Sequence, residues 1–310
     1  MIRHLVRFLK LIRLPNLLVV VATQLLVYYR VFLPAYTSVG FTPKVSEWRL
    51  WQLIVITIAI SASGFIINDL RDAKVDEINR PGTNPVPALG RDLVQWLYAL
   101  SVLGGFLLSL IVAFRLNELP FLWLYPLSVG LLALYSWFLK GLPLVGNIVI
   151  GLYCACVPGI IGLAERARIY KLVQVAPGTA NKVMRTLFIF MLFAFLATWL
   201  RELAKDIEDR EGDQKTGLKT FPVLFGTRPA QVLAQLIALA TAFALLVPIL
   251  FRWPSYASFY VQSYLYALLA GLLVISWLFY RAKTTQDWHN LSTGLKLYLL
   301  LGLGLLASFW

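Results

Sequence analysis

The chain has 310 residues, of which 59% are hydrophobic and 14% are charged, and its formal net charge is +13. Soluble domains are usually about 45–50% apolar and about 25% charged, so this composition excludes an ordinary soluble protein and indicates several membrane spans. In a membrane protein, basic residues set the orientation and contact anionic lipid headgroups, so the positive charge does not imply nucleic acid as a partner. Part of the positive charge also suits an anionic substrate.

Apolar run length predicts about nine membrane-spanning helices, because a helix needs about 20 apolar residues to cross a bilayer. No polar linker separates two halves, so we expect one all-α transmembrane domain over residues 1–310. The basic segment 1–13 is expected to lie on the membrane surface as an amphipathic lead-in to a retained first span. The predicted spans are roughly 14–34, 50–68, 92–114, 118–138, 142–163, 186–204, 230–250, 259–280 and 291–309.

The distribution of Lys and Arg predicts the orientation of these spans. The N-terminus and the connections 69–91, 205–229 and 281–290 together carry more basic residues than the connections on the opposite side. The positive-inside rule therefore places them in the cytoplasm, and we expect a prokaryotic-type cell membrane. The outer side receives a long basic loop over residues 164–185.

Three aspartates follow the second predicted span. Asp69, Asp72 and Asp76 fall at positions i, i+3 and i+7, which lie on one face of a helix, and Asn68 precedes them. One acidic helix end is readily explained as a solvated face interleaved with bases. The spacing alone therefore predicts a helix face and leaves its role open.

A second set repeats this arrangement after the sixth predicted span. Asp206, Asp209 and Asp213 have the same spacing on the same predicted side, and we expect them to share one helix face as well. The repetition favours a common function for the two sets. It also suggests two pseudo-symmetric halves, with motifs at 68–76 and 206–213.

The chemistry of two such faces suits divalent metal and diphosphate. Mg²⁺ prefers oxygen ligands, and it commonly takes one or two carboxylates together with water and substrate phosphate oxygens. Metals held in this way stabilise the charge that develops on a departing diphosphate. Nearby bases are candidates for cationic contacts to phosphate, and they are Arg71, Lys74, Arg80, Lys205 and Lys215.

In combination, these motifs resemble those of the UbiA superfamily of intramembrane prenyltransferases, and the resemblance extends over nearly the whole chain. The Asn-Asp-x-x-Asp-x-x-x-Asp pattern at residues 68–76 and the Asp-x-x-Asp-x-x-x-Asp pattern at residues 206–213 carry most of it. The segment Arg13 to Asn16 is similar to the family's entry to the first helix. Tyr135 and Ser136 with Lys140 are similar to a step after the fourth helix.

The resemblance implies a fold, a reaction and a set of site residues. Nine transmembrane helices would surround a central cavity beneath two cytoplasmic capping loops, and an isoprenyl diphosphate donor would prenylate a lipophilic acceptor in the membrane. Two Mg²⁺ ions would bridge to the diphosphate, and their ligands would be Asn68, Asp69, Asp72, Asp76, Asp206, Asp209 and Asp213. The six aspartates among these ligands would also be the catalytic residues. Substrate contacts would come from Asn16, Arg71, Lys74, Arg80, Tyr135, Lys140, Arg201 and Lys205.

The sequence departs from the family pattern after the first aspartate set. The family commonly continues Asn-Arg-Pro-x-Arg-Pro, whereas this chain has one more residue after Pro81 and places Asn84 where the second arginine stands. A contact from that arginine is therefore not expected here, and Lys74 or Lys140 would have to replace it. Asn147, inside the fifth predicted span, is interpreted as polar contact between helices or as a residue of the cavity wall.

The acceptor is predicted from the second motif. Residues 201–213 most resemble the branch that prenylates geranylgeranylglyceryl phosphate to form an ether lipid, and an aromatic acid or quinone precursor is the alternative acceptor. A secondary transporter is the alternative of a different class. Transporters place ionisable residues near the bilayer midplane, whereas the predicted spans here contain almost no acids.

Overall fold

The computed structural model describes residues 2–79, 81–117 and 120–308. Within them the chain is helical, with two π-helical turns at Tyr28–Phe32 and Tyr135–Leu139 and a 3-10 turn at Pro254–Tyr256. The α-helices are α1 (Ile2–Leu11), α2 (Leu14–Val27), α3 (Leu33–Thr37), α4 (Glu47–Asn79), α5 (Val86–Leu89), α6 (Arg91–Leu116), α7 (Pro120–Leu134), α8 (Val145–Ala164), α9 (Arg166–Val175), α10 (Pro177–Glu208), α11 (Arg210–Lys215), α12 (Phe221–Phe225), α13 (Thr227–Leu250), α14 (Phe259–Arg281) and α15 (Thr285–Ala307).

Nine helical segments of the described chain are long and apolar enough to cross a membrane. Each predicted span overlaps one of them, so the predicted all-α membrane fold with about nine spans is confirmed. The first segment combines α2, a π-helical turn and α3. The nine segments are Leu14–Thr37, Glu47–Asn79, Arg91–Leu116, Phe121–Leu139, Val145–Ala164, Pro177–Glu208, Thr227–Leu250, Phe259–Arg281 and Thr285–Ala307.

The chain folds into two compact units whose segments alternate along the sequence. The first unit comprises Met1–Ala22, Val45–Leu142 and Glu211–Gly217. The second unit comprises Thr23–Lys44, Pro143–Arg210 and Leu218–Trp310. The single domain with two related halves that the sequence suggests stays a prediction.

In the first unit, α4, α6 and α7 pack on one another. The short helix α1 lies against α4 and α5, and α5 lies against α4 and α6. A buried apolar cluster joins them, and its members are Leu11, Ile66, Leu70, Val86 and Val94. α1 also exposes Leu5 and Val6. The predicted position of this segment on the membrane surface stays a prediction. The cluster fixes α5 beside the part of α4 that carries the first aspartate set.

Close packing in the first unit depends on Gly105 of α6. A Cβ atom at this position would lie 2.7 Å from the Cβ of Ala59 and would also overlap the hydroxyl group of Tyr125. That hydroxyl group donates a hydrogen bond to the carbonyl of Ser101 at 2.9 Å, so it is not free to move aside. The glycine therefore sets the distance between α4, α6 and α7.

We expect the Gly105→Leu variant to unfold at a lower temperature than the wild type in detergent, because overpacking a close contact costs about 1–3 kcal/mol. The neighbouring Gly104 provides a matched control, since nothing lies within 4 Å of a Cβ built there. Thermal unfolding followed by tryptophan fluorescence measures both variants. Equal unfolding temperatures for Gly105→Leu and Gly104→Leu would contradict the packing argument.

In the second unit, α10 is the central helix and packs against α8, α13 and α15. Polar side chains between α13 and α14 find backbone partners, as buried polar groups must where no water is present. Gln231 donates to the carbonyls of Phe279 and Ala282 at 2.9 and 3.2 Å, and Gln235 donates to Ser276 at 2.8 Å. These bonds fix the register of the two helices.

The prediction of a long loop over residues 164–185 is wrong. The segment is helical except at a few residues, since α9 is followed after Ala176 by the first turn of α10. Pro177 occupies the first position of α10, where its fixed φ and missing N–H are well tolerated. Just before α9, the fully buried Glu165 accepts a hydrogen bond from the backbone N–H of Lys44 at 3.1 Å.

Candidate active site

The first aspartate set lies on one uninterrupted helix, as its spacing predicts. Helix α4 continues past the apolar run to Asn79, because neither glycine nor proline occurs between Gly64 and Pro81. Asp69 and Asp72 are buried, with 6% and 7% of their surfaces exposed, and Asp76 is half-buried. Two carboxylates are thus removed from solvent within one turn of each other.

A cation from the start of the chain balances Asp69. Arg13 lies in the break between α1 and α2 with a φ of 49°, and its Nη2 donates to Asp69 Oδ1 at 2.8 Å. The guanidinium also lies over the ring of Phe65, 4.9 Å from its centroid. Arg13 was noticed only as part of the entry motif and was not predicted to touch an aspartate. The predicted site residue Asn16 is half-buried on the first turn of α2.

A second cation balances Asp72. The ammonium group of Lys140 forms an ion pair with Asp72 Oδ2, and Asn68 Nδ2 donates to the same oxygen at 2.7 Å. Burial lowers the pKa of Lys140, but the Coulombic attraction and hydrogen bond of Asp72 and the negative charge of Asp76 outweigh this effect and raise the pKa above its ordinary value. Lys140 is therefore charged at neutral pH.

The backbone before Lys140 determines its position. Residues Tyr135–Leu139 form a π-helical turn, and the N–H of Lys140 donates to the carbonyl of Tyr135 at 2.9 Å. This single turn widens the end of α7 at the place where the sequence resembles the family's tyrosine, serine and lysine step. Tyr135 itself is half-buried.

Asn84, in the short connection between α4 and α5, contacts the first set from outside the helix. Its Nδ2 donates to Asp76 Oδ2 at 2.7 Å and to the backbone carbonyl of Asp69 at 2.9 Å. Its Oδ1 accepts a hydrogen bond from the N–H of Val86 at 2.9 Å. The sequence identified Asn84 only as the residue that replaces the second arginine of the family pattern, and nothing in its spacing indicated these contacts.

The second aspartate set does not share one helix face, so that prediction is wrong. Helix α10 ends at Glu208, and Asp209 occupies its C-cap with φ −89° and ψ 1°. Asp213 lies on the separate short helix α11. Aspartate is a poor helix former and Gly212 follows closely, which weakens helix continuation at this point. The i, i+3, i+7 count assumed a helix that the chain does not form.

Within the second unit, Asp206 is held by a residue from a neighbouring helix. Asn147 Nδ2 donates to Asp206 Oδ2 at 2.8 Å. Asn147 is the third residue of α8 and lies inside the span Val145–Ala164, so its interpretation as a polar contact between helices is confirmed. The amide thus binds one of the predicted site residues, although the sequence did not indicate which residue its partner would be.

Asp213 belongs to the first unit, together with the end of α4. Gly212 lies so close to Asn79 that a Cβ atom on the glycine would overlap the side-chain oxygen of Asn79. Asp213 itself is 6% exposed. The absence of a side chain at Gly212 therefore lets α11 approach the C-terminal end of the helix that carries the first set.

The remaining predicted substrate contacts have other neighbours. Arg201 Nη1 and Lys205 Nζ both pair with the buried Glu202, at 2.8 and 2.9 Å. Arg71 lies over the ring of Trp137, 4.7 Å from its centroid. Lys74 is exposed on α4. Arg80, also predicted as a phosphate contact, lies outside the described residues.

The donor set of the first motif fits Mg²⁺ with a phosphate ligand better than a closed protein cage. Among the described residues, no three His, Cys, Asp or Glu side chains converge as a complete metal site. The bonds to Asp69, Asp72 and Asp76 use only one oxygen of each carboxylate, so the other oxygen has no hydrogen bond from a described residue. Mg²⁺ needs few carboxylates when water and phosphate complete its shell.

Comparison with known proteins gives consistent similarities. The sequence pattern of the UbiA prenyltransferase family matches residues 31–301. A digeranylgeranylglyceryl phosphate synthase from Methanopyrus kandleri is 35% identical over 226 residues, which cover 72% of this chain and 75% of that protein.

Two solved structures have a similar fold. One comes from work on digeranylgeranylglyceryl phosphate synthase in membranes and has a TM-score of 0.67 at 20% identity. The superposition covers 98% of this chain and 97% of that chain. The other is a UbiA homolog from Archaeoglobus fulgidus bound to DMAPP and Mg²⁺, with a TM-score of 0.58 at 17% identity. The superposition covers 98% of this chain and 100% of the homolog's chain.

Proposed function

The chain belongs to the UbiA prenyltransferase family, and from this premise we propose that it transfers a prenyl group from an isoprenyl diphosphate to geranylgeranylglyceryl phosphate within the membrane. The relative from Methanopyrus kandleri, named digeranylgeranylglyceryl phosphate synthase, supports this acceptor. The reaction class is supported above all by the buried aspartate face of α4, whose carboxylates bond to cationic and amide side chains. Such a face suits a metal diphosphate at the end of a membrane helix.

Mg²⁺ is the proposed cofactor, in two ions. When bound, it would supply positive charge that makes the diphosphate a better leaving group. The binding of Mg²⁺ by the homolog from Archaeoglobus fulgidus supports this choice. The residues proposed to hold it are Asn68, Asp69, Asp72, Asp76, Asp206, Asp209 and Asp213.

Arg13 and Lys140 have two consecutive roles in this proposal. Without ligand, they neutralise Asp69 and Asp72, which would otherwise be buried negative charges at considerable cost. If those carboxylates held the metal, the two cations would be available to donate hydrogen bonds to diphosphate oxygens. Arg13 and Lys140 would thus pair with carboxylates in the ligand-free protein and with diphosphate in the ligand-bound protein.

The acceptor phosphate is assigned to the cations at the end of α10. Arg201 and Lys205 share the single carboxylate of Glu202, so this cluster keeps a net positive charge. In the reaction, the allylic carbon–oxygen bond to diphosphate breaks and an ether bond to the glycerol oxygen forms, with loss of the hydroxyl proton. Asn16 and Tyr135 remain proposed substrate contacts, as do Arg71, Lys74 and Arg80.

The N-terminus and both aspartate sets are proposed to face the cytoplasm, on the basis of the Lys and Arg distribution. With the nine candidate spans found among the described residues, this orientation puts the C-terminus outside. A C-terminal alkaline phosphatase fusion should therefore be active in cells. An inactive phosphatase fusion together with a fluorescent C-terminal GFP fusion would reverse the assignment.

The direct test combines purified protein, geranylgeranyl diphosphate and Mg²⁺ with three kinds of acceptor, which are geranylgeranylglyceryl phosphate, an aromatic acid and a quinone precursor. We expect a product whose mass equals geranylgeranylglyceryl phosphate plus one geranylgeranyl group minus one hydrogen. We expect EDTA to abolish it and excess Mg²⁺ to restore it. Transfer only to aromatic acids or quinone precursors would overturn the acceptor. Absence of transfer to every acceptor would overturn the function.

A further inference from the structure

We propose that Asn84 is a positioning residue for the metal ligands of the first motif, acting through Asp76 and the backbone of Asp69. The inference rests on the proposed function, which it deepens by naming a residue that controls metal affinity without touching the substrate. Asn84 stands where the family pattern has arginine, so the role belongs to this chain's own sequence.

The argument begins with the geometry of the amide. One Nδ2 group bonds to two acceptors on α4 that are seven residues apart, the carboxylate of Asp76 at 2.7 Å and the carbonyl of Asp69 at 2.9 Å. Two N–H bonds therefore fix the direction of the Asp76 side chain relative to the turn that carries Asp69. A side chain with one donor cannot hold both acceptors at once.

The position of Asn84 is itself fixed from the other side. Its Oδ1 accepts from the N–H of Val86, which is the local turn typical of asparagine. Val86 is 4% exposed in the apolar cluster with Leu11, and Arg7 of α1 donates to the carbonyl of Ala88 at 3.2 Å. The amide therefore reaches Asp76 from a segment that is anchored by packing.

The chemical consequence concerns charge as well as geometry. The amide holds one oxygen of Asp76 but brings no positive charge that would compete with a metal ion. Outer hydrogen-bond partners of this kind orient a metal ligand, and their loss typically lowers metal affinity or activity by 10–100-fold. Asn84 is thus expected to act on metal binding more than on folding.

The test uses full-length protein in detergent and two variants, Asn84→Leu and Asn84→Asp. The leucine removes both donors without adding charge, whereas the aspartate keeps the acceptor for Val86, loses the donors and adds a negative charge. Binding of Mn²⁺ in the presence of inorganic pyrophosphate is measured by electron paramagnetic resonance. We expect the Kd for Mn²⁺ to rise about 10-fold or more in both variants.

Asn290→Asp is the matched control for the charge change. Asn290 is an exposed amide on α15 that accepts a hydrogen bond from Gln286 at 2.9 Å, and its variant should bind Mn²⁺ as the wild type does. If Asn84→Asp binds Mn²⁺ like the wild type, Asn84 only anchors the turn and the inference is overturned. Tighter binding by Asn84→Asp would make it a direct ligand and would also overturn it.

The metal measurement separates this inference from the proposed function. If the wild type transfers no prenyl group but both variants lose Mn²⁺ affinity, the function fails and the positioning role stands. If the wild type transfers prenyl groups and both variants bind Mn²⁺ normally, the function stands and the positioning role fails. In active protein, the Mg²⁺ concentration for half-maximal transfer should rise with the Kd, and the rate at saturating Mg²⁺ should fall much less.

Discussion

The Asp72→Asn variant is expected to transfer prenyl groups at least about 100-fold more slowly than the wild type, because it removes charge from the centre of the proposed metal site. Asparagine has nearly the same shape, so the loss is attributable to charge. Asp72 is 7% exposed and accepts bonds from both Lys140 and Asn68, which makes it the most connected carboxylate of the first motif among the described residues. Product formation from geranylgeranyl diphosphate measures the effect.

Two further variants separate chemistry from folding in this experiment. Removing one partner of a largely buried ion pair is destabilising, whereas replacing both partners by uncharged groups is often nearly neutral. The double variant Asp72→Asn, Lys140→Met should therefore regain thermal stability without regaining transfer. Glu77→Gln, an exposed acid on the same helix, should retain activity. Full activity in Asp72→Asn would remove this residue from the site.

The Asp206→Asn variant is expected to lose transfer to a similar degree, at least about 100-fold. Its carboxylate lies on the last turn of α10 and is held by the amide of Asn147 at 2.8 Å, which cannot replace the missing charge. The measurement is again product formation, with the unfolding temperature determined in parallel. Equal rates for the variant and the wild type would show that only the first motif serves the reaction.

Glu208→Gln is the matched control for this variant. Glu208 lies two residues further on α10, and its Oε1 is 3.0 Å from Nδ1 of His289. The substitution removes one negative charge from the same helix end but leaves Asp206 and Asn147 in place. Its rate should stay within a few-fold of the wild type, so a large loss would mean that net charge, and not Asp206 itself, determines activity.

The sequence predicted the membrane fold well because its signals are local. Runs of about 20 apolar residues identify spans wherever the partner helices lie. The helix through Asp69, Asp72 and Asp76 was predictable for the same reason, since no helix breaker interrupts it. The end of α10 at Glu208 was not predictable from spacing, because the i, i+3, i+7 count assumes a continuous helix and cannot show where a weak helix signal near Asp209 breaks it.

The contacts that complete the candidate site were less predictable. Arg13, Asn84 and Asn147 meet their aspartates across 56, 8 and 59 residues of sequence, and only the second separation is short. No periodicity links residues so far apart. Arg201 and Lys205 were predicted as substrate contacts, which stays a prediction, and the sequence did not identify Glu202 as their common partner.

The π-helical turn before Lys140 gives the lysine its angular position. In an uninterrupted α-helix the N–H of Lys140 would bond to the carbonyl of Ser136, but here it reaches Tyr135. One additional residue in a turn rotates every later side chain by about 100° relative to regular α-helical register. A single residue inserted or deleted between Tyr135 and Lys140 would therefore turn the ammonium group away from Asp72, even if every side chain of the motif were retained.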